Sequence, residues 1–384
     1  MSDTGTTGRP FQMIDTDAAL KEIIPTLKRQ KALGFDLEAD SMFHFTEKVC
    51  LLQIAAGKRS FLVDPLVVKD LSPLKTVFAD ASIKKIFHGA DYDIRSLHRD
   101  FGITIDNLFD TEVACRFLGF PESGLNSLVQ RVIGASLEKK YQKSDWSQRP
   151  LPPEMMNYAT GDVIYLEALY RELKARLREK GREAWVDEEC RLLCAVRCAE
   201  ANDQPLFKKI KGAGRLDRRG LAVLERLLRL RLDIARQKDR PPFKVMSNAS
   251  LFQVADVKPR NRERLIATGA FSRKQVSMYA DRICRAVNAA LSLSEKRLPV
   301  YPRERRPGQS PQMVARVNAL KQWRQKTART LEIDPGVLFP NALLMTVAQT
   351  HPQDRSALDE LEDLKNWQKA EFGEELVAVM KSVP

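Results

Sequence analysis

The chain has 384 residues, 43% of them hydrophobic and 29% charged, and a formal net charge of +13. This length predicts two or three domains, with ample apolar material for their cores. No run of about 18 apolar residues is present, which argues against a membrane-spanning helix. The positive charge favours a polyanionic partner, either a nucleic acid or an anionic membrane surface.

The N-terminus and the cysteines both indicate a cytoplasmic protein. Met1–Pro10 is small and polar and lacks the features of a signal peptide, so we expect a short flexible leader. The six cysteines contain no C-x-x-C pair and do not suggest a disulfide framework. Cys190, Cys194 and Cys198 recur every four residues, as on one side of a helix. They suggest either a metal or iron–sulfur site or, more commonly, small buried helix residues.

The first part of the chain alternates between strand and helix patterns, which predicts a mixed α/β sheet with helices packed on it. Strands are predicted at Gly34–Glu38, Val49–Ala55, Ser60–Val63, Lys84–His88 and Asn107–Phe109. Helices are predicted at Ala18–Gln30, Leu71–Asp80, Asp91–Phe101, Asp110–Leu118, Gly124–Ile133 and Pro153–Glu179.

After Pro205 the periodicity is almost entirely helical, and it occurs twice. At an offset of 93 residues, about a dozen positions within roughly 30 are identical, which predicts two copies of one small helical module. The matching pairs include Pro242 with Pro335, Leu251 with Leu344, Pro259 with Pro352 and Leu265 with Leu358. We therefore divide the chain into an α/β domain (1–205), a first helical module (206–297), and a Pro/Arg-rich linker with a second module (298–384).

The two modules differ in charge. Residues 208–240 contain twelve Lys and Arg against four acids, a net of +8, whereas residues 353–384 contain eight acids against four bases, a net of −4. The first module is therefore the better candidate for contacts with a phosphate backbone, although an ordinary solvated helix face would look the same. The acidic second module is expected to be structural or to contact protein.

Acidic residues alternate with apolar ones in the first predicted strand. Asp36, Glu38 and Asp40 would share one face, because successive side chains in a strand point to opposite sides. Like charges crowded on one face are destabilising unless something offsets them. The strand is either a solvated end or part of a site for Mg²⁺ or Mn²⁺, which bind carboxylates and water.

Further acids occur where they could join such a site. Asp93 follows the fourth strand at the beginning of a helix, and Tyr158 and Asp162 are four residues apart on one helix face. Asp110, just before Thr111, is predicted to cap a helix.

These residues together resemble a known family. Asp36-x-Glu38, Asp93 and Tyr158-x-x-x-Asp162 are similar to the three motifs of the DEDDy 3′–5′ exonucleases, which have an RNase H-like fold. The segments 88–90, 144–151 and 158–159 further resemble ribonuclease D and its eukaryotic exosome relatives. The two helical modules resemble HRDC domains. The resemblance extends from about Phe11 to Met380, and none of the five motif positions departs from the pattern.

The resemblance implies a site with two divalent ions, Mg²⁺ or Mn²⁺. Asp36, Glu38, Asp93 and Asp162 would be the ligands, with Asp36 bridging both ions. Tyr158 would orient the attacking water, since a free tyrosine with a pKa near 10 is a poor base at neutral pH. Asp40 is predicted not to be a ligand.

Several residues near these motifs are candidates for nucleic-acid contacts, each with a structural alternative. Met42, Phe43 and Phe45 would stack on terminal bases or pack in a core. His88 would touch the scissile region or be an ordinary buried histidine. Trp146 matches a family motif beside the site, and Arg149 would hold a phosphate in a bidentate manner or anchor its own loop.

The favoured function is a metal-dependent 3′–5′ exoribonuclease that releases 5′-mononucleotides, and the family suggests transfer-RNA precursors as substrates. Two alternatives remain at this point. One is a 3′–5′ exodeoxyribonuclease, because the same site cuts either polymer. The other is an RNA-binding scaffold with an inactive site, against which the intact set of four acids and one tyrosine argues.

Overall fold

The computed structural model of the protein describes residues 10–138, 140–199, 204–302 and 310–383. The expected leader, up to residue 9, and the arginines of the linker at 303, 305 and 306 lie outside the described residues. The chain forms two compact units. The first contains the described residues within Met1–Ala39, Val49–Cys198 and Pro307–Pro384, and the second contains those within Asp40–Lys48 and Ala199–Arg306.

The first unit is built on a six-stranded mixed sheet with the order β1-β4-β3-β2-β5-β6. Its strands are β1 Phe11–Ile14, β2 Ala32–Ala39, β3 Val49–Ala56, β4 Arg59–Val63, β5 Lys84–Phe87 and β6 Leu108–Asp110. Strand β2 is central, antiparallel to β3 and parallel to β5. The predicted mixed sheet is therefore confirmed, and β1, which the sequence analysis missed, adds a parallel edge strand beside β4.

Eight helices accompany this sheet in the described part of residues 10–199. They are α1 Asp17–Lys28, α2 Ser72–Phe78, α3 Asp91–Phe101, α4 Thr111–Phe117, α5 Leu125–Ile133, α6 Pro153–Val163, α7 Leu166–Glu179 and α8 Glu183–Cys194. Cys190 and Cys194 lie in α8, but Cys198 lies beyond its end. The prediction that all three cysteines lie on one helix is therefore wrong for Cys198. No helix among the described residues has the length and apolarity needed to cross a bilayer.

The single long helix predicted over Pro153–Glu179 is wrong, because the structure contains two helices there. The linking residues Ile164 and Tyr165 keep nearly helical backbone angles. The interruption occurs where the chain packs closely on Gly34 of β2: a Cβ atom at Gly34 would lie 3.0 Å from the Val163 carbonyl oxygen. Neither Pro nor Gly occupies the break itself, so its cause is tertiary packing rather than a local signal.

The two helical modules have the same internal layout. The first contains α9 Arg218–Gln237, α10 Pro242–Val245, α11 Asn248–Val257, α12 Arg262–Ala267 and α13 Arg273–Leu291. The second contains α14 Pro311–Leu331, α15 Pro335–Leu338, α16 Asn341–Thr350, α17 Arg355–Asp359 and α18 Asn366–Lys381. The last four helices of each module begin 93 residues apart. Left-handed backbone positions also recur at this offset, at Asp239 and Glu332 and at Lys258 and His351. The predicted repeat is confirmed.

The first module forms its own hydrophobic core within the second unit. The segment 40–48 belongs to the same unit and is attached to α9 and α10 through polar and cationic contacts. His44 Nδ1 lies 2.6 Å from the Asp239 carboxylate, and the Lys244 ammonium lies 4.3 Å from the centre of the Phe43 ring. Arg236 lies over Phe45 at 5.3 Å.

The second module, in contrast, shares the core of the first unit. Trp367 of α18 stacks on Trp185 of α8 with ring centroids 4.8 Å apart, and it meets Phe117 edge-on at 5.4 Å. The buried Arg182 donates hydrogen bonds to the carbonyl oxygens of Phe117 and Leu331. The second module is therefore part of the body that contains the sheet.

Two acids of α8 complete this attachment. The Glu188 carboxylate accepts hydrogen bonds from the backbone amides of Asn366 and Trp367, at 2.9 and 2.8 Å, which are among the unsatisfied donors at the start of α18. Glu189 pairs with Lys365 at 2.5 Å. Residues from α8 thus cap a helix almost 180 positions later, which agrees with the expected structural role of the acidic module.

Candidate active site

The central strand β2 supplies two carboxylates to one face of the sheet. Phe35, between Gly34 and Asp36, points to the opposite face and packs against Phe78 and Phe87, with ring centroids 4.5 and 5.4 Å away. This packing fixes which face of the strand each side chain occupies, and it leaves Asp36 and Glu38 on the face opposite to Phe35. The strand pairing becomes irregular between Glu38 and Ala39, directly after the second acid.

Helix α6 brings the third carboxylate and the tyrosine to the same face. It begins at Pro153, where the fixed backbone of proline suits the first helical turn. Its apolar residues Met155 and Ala159 are buried against the sheet. Because Tyr158 and Asp162 are four residues apart, both project from one side of the helix.

Three of the four predicted ligands converge closely. Asp36, Glu38 and Asp162 each offer a carboxylate oxygen, and these oxygens lie within 4.8 Å of one another. This is the one such group of potential metal ligands found among the described residues, and the cysteines of the α8 region do not form one. Asp93, buried in the first turn of α3, is outside this tightest group.

The electrostatics of the cluster show that Asp93 is nonetheless a neighbour. Burial raises the pKa of Asp36 to about 7 and, with the charge of Asp36, that of Asp162 to about 8. Burial and the charges of Asp36, Asp162 and Asp93 raise the pKa of Glu38 to about 10. The pKa of Asp93 is also raised, by burial and then by the charges of Asp36 and Asp110. Four acids placed this way resist ionising together.

This cluster is well suited to divalent cations. Mg²⁺ and Mn²⁺ bind oxygen ligands, and a bound cation would reverse the electrostatic penalty that now keeps protons on the acids. The donor set contains carboxylates and no thiolate or imidazole, which fits these hard ions. Divalent metal use therefore follows from the chemistry of the site.

Tyr158 remains protonated at neutral pH. Its pKa is raised far above the usual value, first by burial and then by the charges of Asp162, Glu38 and Asp36. Its hydroxyl is hydrogen-bonded to Asp162. The ring lies beside Trp146, with centroids 6.1 Å apart. A phenol held in this way can position a water molecule but is a poor base.

A cavity of about 390 Å³ opens over the acids. Its lining residues come from β2, His88, α6, Leu166 of α7 and a wall that the sequence analysis missed. The missed wall consists of Gly124, Leu125, Asn126, Ser127, Leu137, Glu138 and Gln142. Asn126 holds the two parts of this wall together, because its side-chain oxygen accepts a hydrogen bond from the Leu137 amide at 2.8 Å. No motif marks these residues, since their position depends on how α5 packs.

Asp110 supports the start of α3, on which Asp93 stands. Its carboxylate accepts hydrogen bonds from the amides of Gly89 and Ala90, at 2.9 and 2.7 Å. It also caps α4 by accepting from the amides of Glu112 and Val113, which confirms the predicted N-cap. One buried carboxylate therefore fixes two helix starts beside the cluster.

The predicted nucleic-acid contacts have different outcomes. His88 lines the cavity, and its Nδ1 lies 2.9 Å from the Thr111 hydroxyl. Burial lowers its pKa, so the ring is neutral. Met42 is 43% exposed and lies in the segment 40–48 of the second unit. These two residues stay predictions as nucleic-acid contacts.

Trp146 and Arg149 have structural roles instead. Trp146 is only 1% exposed and lies in the core under α6, where a base cannot stack on it. Arg149 uses all five of its N–H groups within the protein: they bond to the Asp64 carboxylate and to the carbonyl oxygens of Cys50, Trp146 and Gln148. The expectation that either residue contacts RNA is corrected accordingly, and Arg149 anchors its loop.

Comparisons with known proteins agree with this geometry. A family model described as a 3′–5′ exonuclease matches residues 11–178, and the HRDC domain model matches residues 220–287 and 314–380. A ribonuclease D from Desulfotalea psychrophila is 31% identical over 88% of this chain and 90% of its own length. A ribonuclease D from Pseudomonas paraeruginosa is 29% identical over 98% of this chain and 99% of its own.

A solved structure extends the comparison to the fold. The crystal structure of Escherichia coli RNase D, described as an exoribonuclease involved in structured RNA processing, has a TM-score of 0.75 with 27% identity. The match covers 98% of this chain and all of that one. A relative that is 31% identical over 90% of its own length, together with family models that match the exonuclease part and both helical modules, shows that the chain belongs to the ribonuclease D family.

Proposed function

We propose that this chain, a 3′–5′ exoribonuclease by family, trims the 3′ ends of RNA and releases 5′-mononucleotides, with transfer-RNA precursors as its substrate class. The observation that carries this proposal is the convergence of Asp36, Glu38 and Asp162 on one cavity, with Asp93 close enough to raise the pKa of Glu38. Tyr158 faces the same cavity.

The four carboxylates would hold two divalent ions. When bound, such a pair supplies a water nucleophile and neutralises the departing 3′-oxygen. Asp36, whose charge raises the pKa of the other three acids, would contact both ions, while Glu38, Asp93 and Asp162 would complete the ligand set. Each acid must release its proton to bind, so the ions and protons compete for the same oxygens.

The remaining site residues would place the RNA end and the water. The Tyr158 hydroxyl, still protonated, would hold the attacking water beside Asp162. The neutral His88 and the wall around Asn126 face the same space and would contact the terminal nucleotide. The cavity volume lies in the range of small-molecule sites, which suits a single nucleotide.

The charge distribution supports an RNA partner on the first module. Residues 206–297 contain 23 Lys and Arg against 8 Asp and Glu, a net of +15, which exceeds the +13 of the whole chain. A surface of this sign attracts the phosphate backbone without reading its sequence. We place this reaction in the cytoplasm, where reducing conditions suit six cysteines that form no disulfide among the described residues.

The test compares RNA and DNA substrates of one sequence, labelled at either end, with Mg²⁺ or Mn²⁺. The wild type should shorten RNA from its 3′ end to mononucleotides, and Asp36→Ala should abolish this. Asp91→Asn is the matched control: Asp91 is an exposed acid that pairs with Arg95, and its loss should leave the rate unchanged.

Three other results are possible, and each would refute one part of the proposal. Hydrolysis that survives Asp36→Ala would show that the reaction occurs at another site. Faster cleavage of DNA than RNA would favour an exodeoxyribonuclease. Binding of RNA without cleavage of any substrate would favour the scaffold.

A further inference from the structure

Gln53 lies beside the candidate metal site without facing its cavity. In the register of β2 and β3 it stands directly opposite Asp36. Residues opposite each other in an antiparallel pair project on the same face, with Cβ atoms about 4.5–5.5 Å apart. Gln53 is therefore an immediate neighbour of Asp36, and its side chain is completely buried.

The carboxamide of Gln53 has an unmet need for hydrogen bonds. Neither its nitrogen nor its oxygen has a partner among the residues that the structure describes. Buried polar side chains are nearly always satisfied, because an unpaired one loses its hydration without compensation. An orphaned amide of this kind, next to a carboxylate, indicates a partner that is present only in another state of the site.

The strand register provides one polar candidate for that partner. On the other side of Gln53 the register places Leu62 of β4, which has no polar side-chain atom. Helix α6, which packs on these strands, contributes the apolar Met155 and Ala159 to the buried cluster on this face. Across the register, the polar neighbour is the carboxylate of Asp36.

Gln53 is not suited to touch the substrate itself. Asp36 lines the cavity, whereas Gln53 is absent from the described lining and fully buried behind it. Any contribution to the reaction must therefore pass through Asp36.

We propose that Gln53 is a positioning residue, whose Nε2–H donates a hydrogen bond to the Asp36 carboxylate when that carboxylate holds a divalent ion. Such a bond fixes the rotation of the carboxylate, so that its other lone pairs face the ion. Partners of this kind behind metal ligands typically contribute 10- to 100-fold to metal affinity. The inference rests on the proposed metal site and adds a residue that the exonuclease motifs do not include.

The test measures Mn²⁺ binding by electron paramagnetic resonance on the full chain, without RNA. Gln53→Met keeps the length of the side chain and removes its hydrogen bonding. Leu62→Met is the matched control: it introduces the same side chain on the same face, one strand further from Asp36. We expect the dissociation constant for Mn²⁺ to rise at least tenfold in Gln53→Met and less than threefold in Leu62→Met.

A second measurement separates positioning from general stability. Without metal, Gln53→Met should unfold at the same temperature as the wild type or higher, because an apolar group replaces an unpaired amide. In the presence of Mn²⁺, its gain in unfolding temperature should be smaller than that of the wild type. Gln53→Leu, with a smaller apolar side chain, should behave in the same way.

Four results would overturn the proposal. The first is Mn²⁺ affinity in Gln53→Met within threefold of the wild type, and the second is equal weakening in Leu62→Met. The third is a loss of metal-free stability, or failure to fold, in both Gln53→Met and Gln53→Leu, which would show that the amide has a structural partner. The fourth is a wild type that binds no Mn²⁺. Of the four results, only this one would also refute the metal site of the proposed function. A failure of the Gln53 proposal can therefore be told apart from a failure of the proposed function.

Discussion

Replacing Arg149 with alanine should destabilise the first unit rather than weaken RNA binding. The guanidinium donates to both oxygens of Asp64, at 2.5 and 2.7 Å, and to three carbonyl oxygens, at 2.7–2.9 Å. It ties the loop before α6 to the end of β4 and to Cys50 of β3. Arg149→Ala would remove all five bonds and leave the Asp64 carboxylate, only 3% exposed, without its cation.

The expected magnitude follows from this burial. Removing one partner of a buried ion pair typically costs about 3–5 kcal/mol. Because the Arg149 side chain is 25% exposed, water can partly replace it, and the lower end of about 3 kcal/mol applies. For a body of this size, each kcal/mol lowers the unfolding temperature by about 2–4 °C. We expect a decrease of about 6–12 °C.

The assay combines thermal unfolding with RNA affinity measured over a series of salt concentrations. Arg149→Ala and Asp64→Asn should both lower the unfolding temperature and leave the salt dependence of RNA binding unchanged. Arg171→Ala removes an exposed pair with Glu167 and should have little effect on stability. The reasoning is refuted if Arg149→Ala unfolds like the wild type while its RNA affinity and salt dependence both decrease, because Arg149 would then be a phosphate contact.

Three further predictions follow from the site and the first module. In EDTA, the unfolding temperature should fall as pH rises from 5 to 8. In the folded state Asp36 and Asp162 keep their protons up to pKa values of about 7 and 8, whereas in the unfolded chain they lose them near the ordinary pKa of 3.8. Saturating Mg²⁺ and the substitution Asp36→Asn should each flatten this slope, and a rise in stability over the same range would contradict the assignment. Tyr158→Phe should lower kcat about 100-fold, because the attacking water would lose the group that positions it. The affinity for Mn²⁺ should stay unchanged, since the phenol is not a ligand, and weaker Mn²⁺ binding would contradict this role. Replacing the exposed Lys208, Lys209 and Lys211 with alanine should reduce the slope of log affinity against log salt by up to about 2, at about 0.7 for each lost contact with single-stranded RNA. The same change at Lys321, Lys326 and Arg329 of the second module should leave that slope unaltered. An unaltered slope in the variant of the first module would exclude its three lysines as phosphate contacts.

The last prediction uses point substitutions because truncation would not isolate the first module. From the sequence, removing everything after about residue 205 is expected to weaken RNA binding more than cleavage. In the structure, the second module lies in the core of the first unit, where Trp367 stacks on Trp185. Such a truncation would therefore expose apolar surface of the catalytic body and confuse binding with folding.

Four site residues could be placed from the sequence, because the spacing of residues within one strand or helix determines which of them share a face. Alternation places Asp36 and Glu38 on one face of a strand, and a separation of four places Tyr158 beside Asp162 on a helix. The placement of Asp93 depends instead on the turn that Asp110 holds, and the resemblance to a family supplied what spacing could not. The cavity wall around Asn126 has no signal of either kind.

Contacts between distant segments were the hardest to foresee. Glu188 and Glu189 look like ordinary acids of a helix, and nothing near them shows that they bind the start of α18. The break between α6 and α7 likewise reflects the close approach of Val163 to Gly34. Gln53, in a strand of apolar residues, has a neighbour that only the strand register reveals. Arg149 was open to two interpretations until its partners were known.

The interrupted course of the first unit has a consequence for its synthesis. Its sheet and cavity are encoded before residue 198, but its last core helix ends at Lys381, after the whole second unit. At about 5–20 residues per second, a ribosome needs about 10–40 s to make the intervening chain. During that time Trp185 and Phe117 lack the indole of Trp367 that later packs on them, so apolar surface of the unfinished unit stays exposed to water. The first unit can complete its core only after residue 381 has been made.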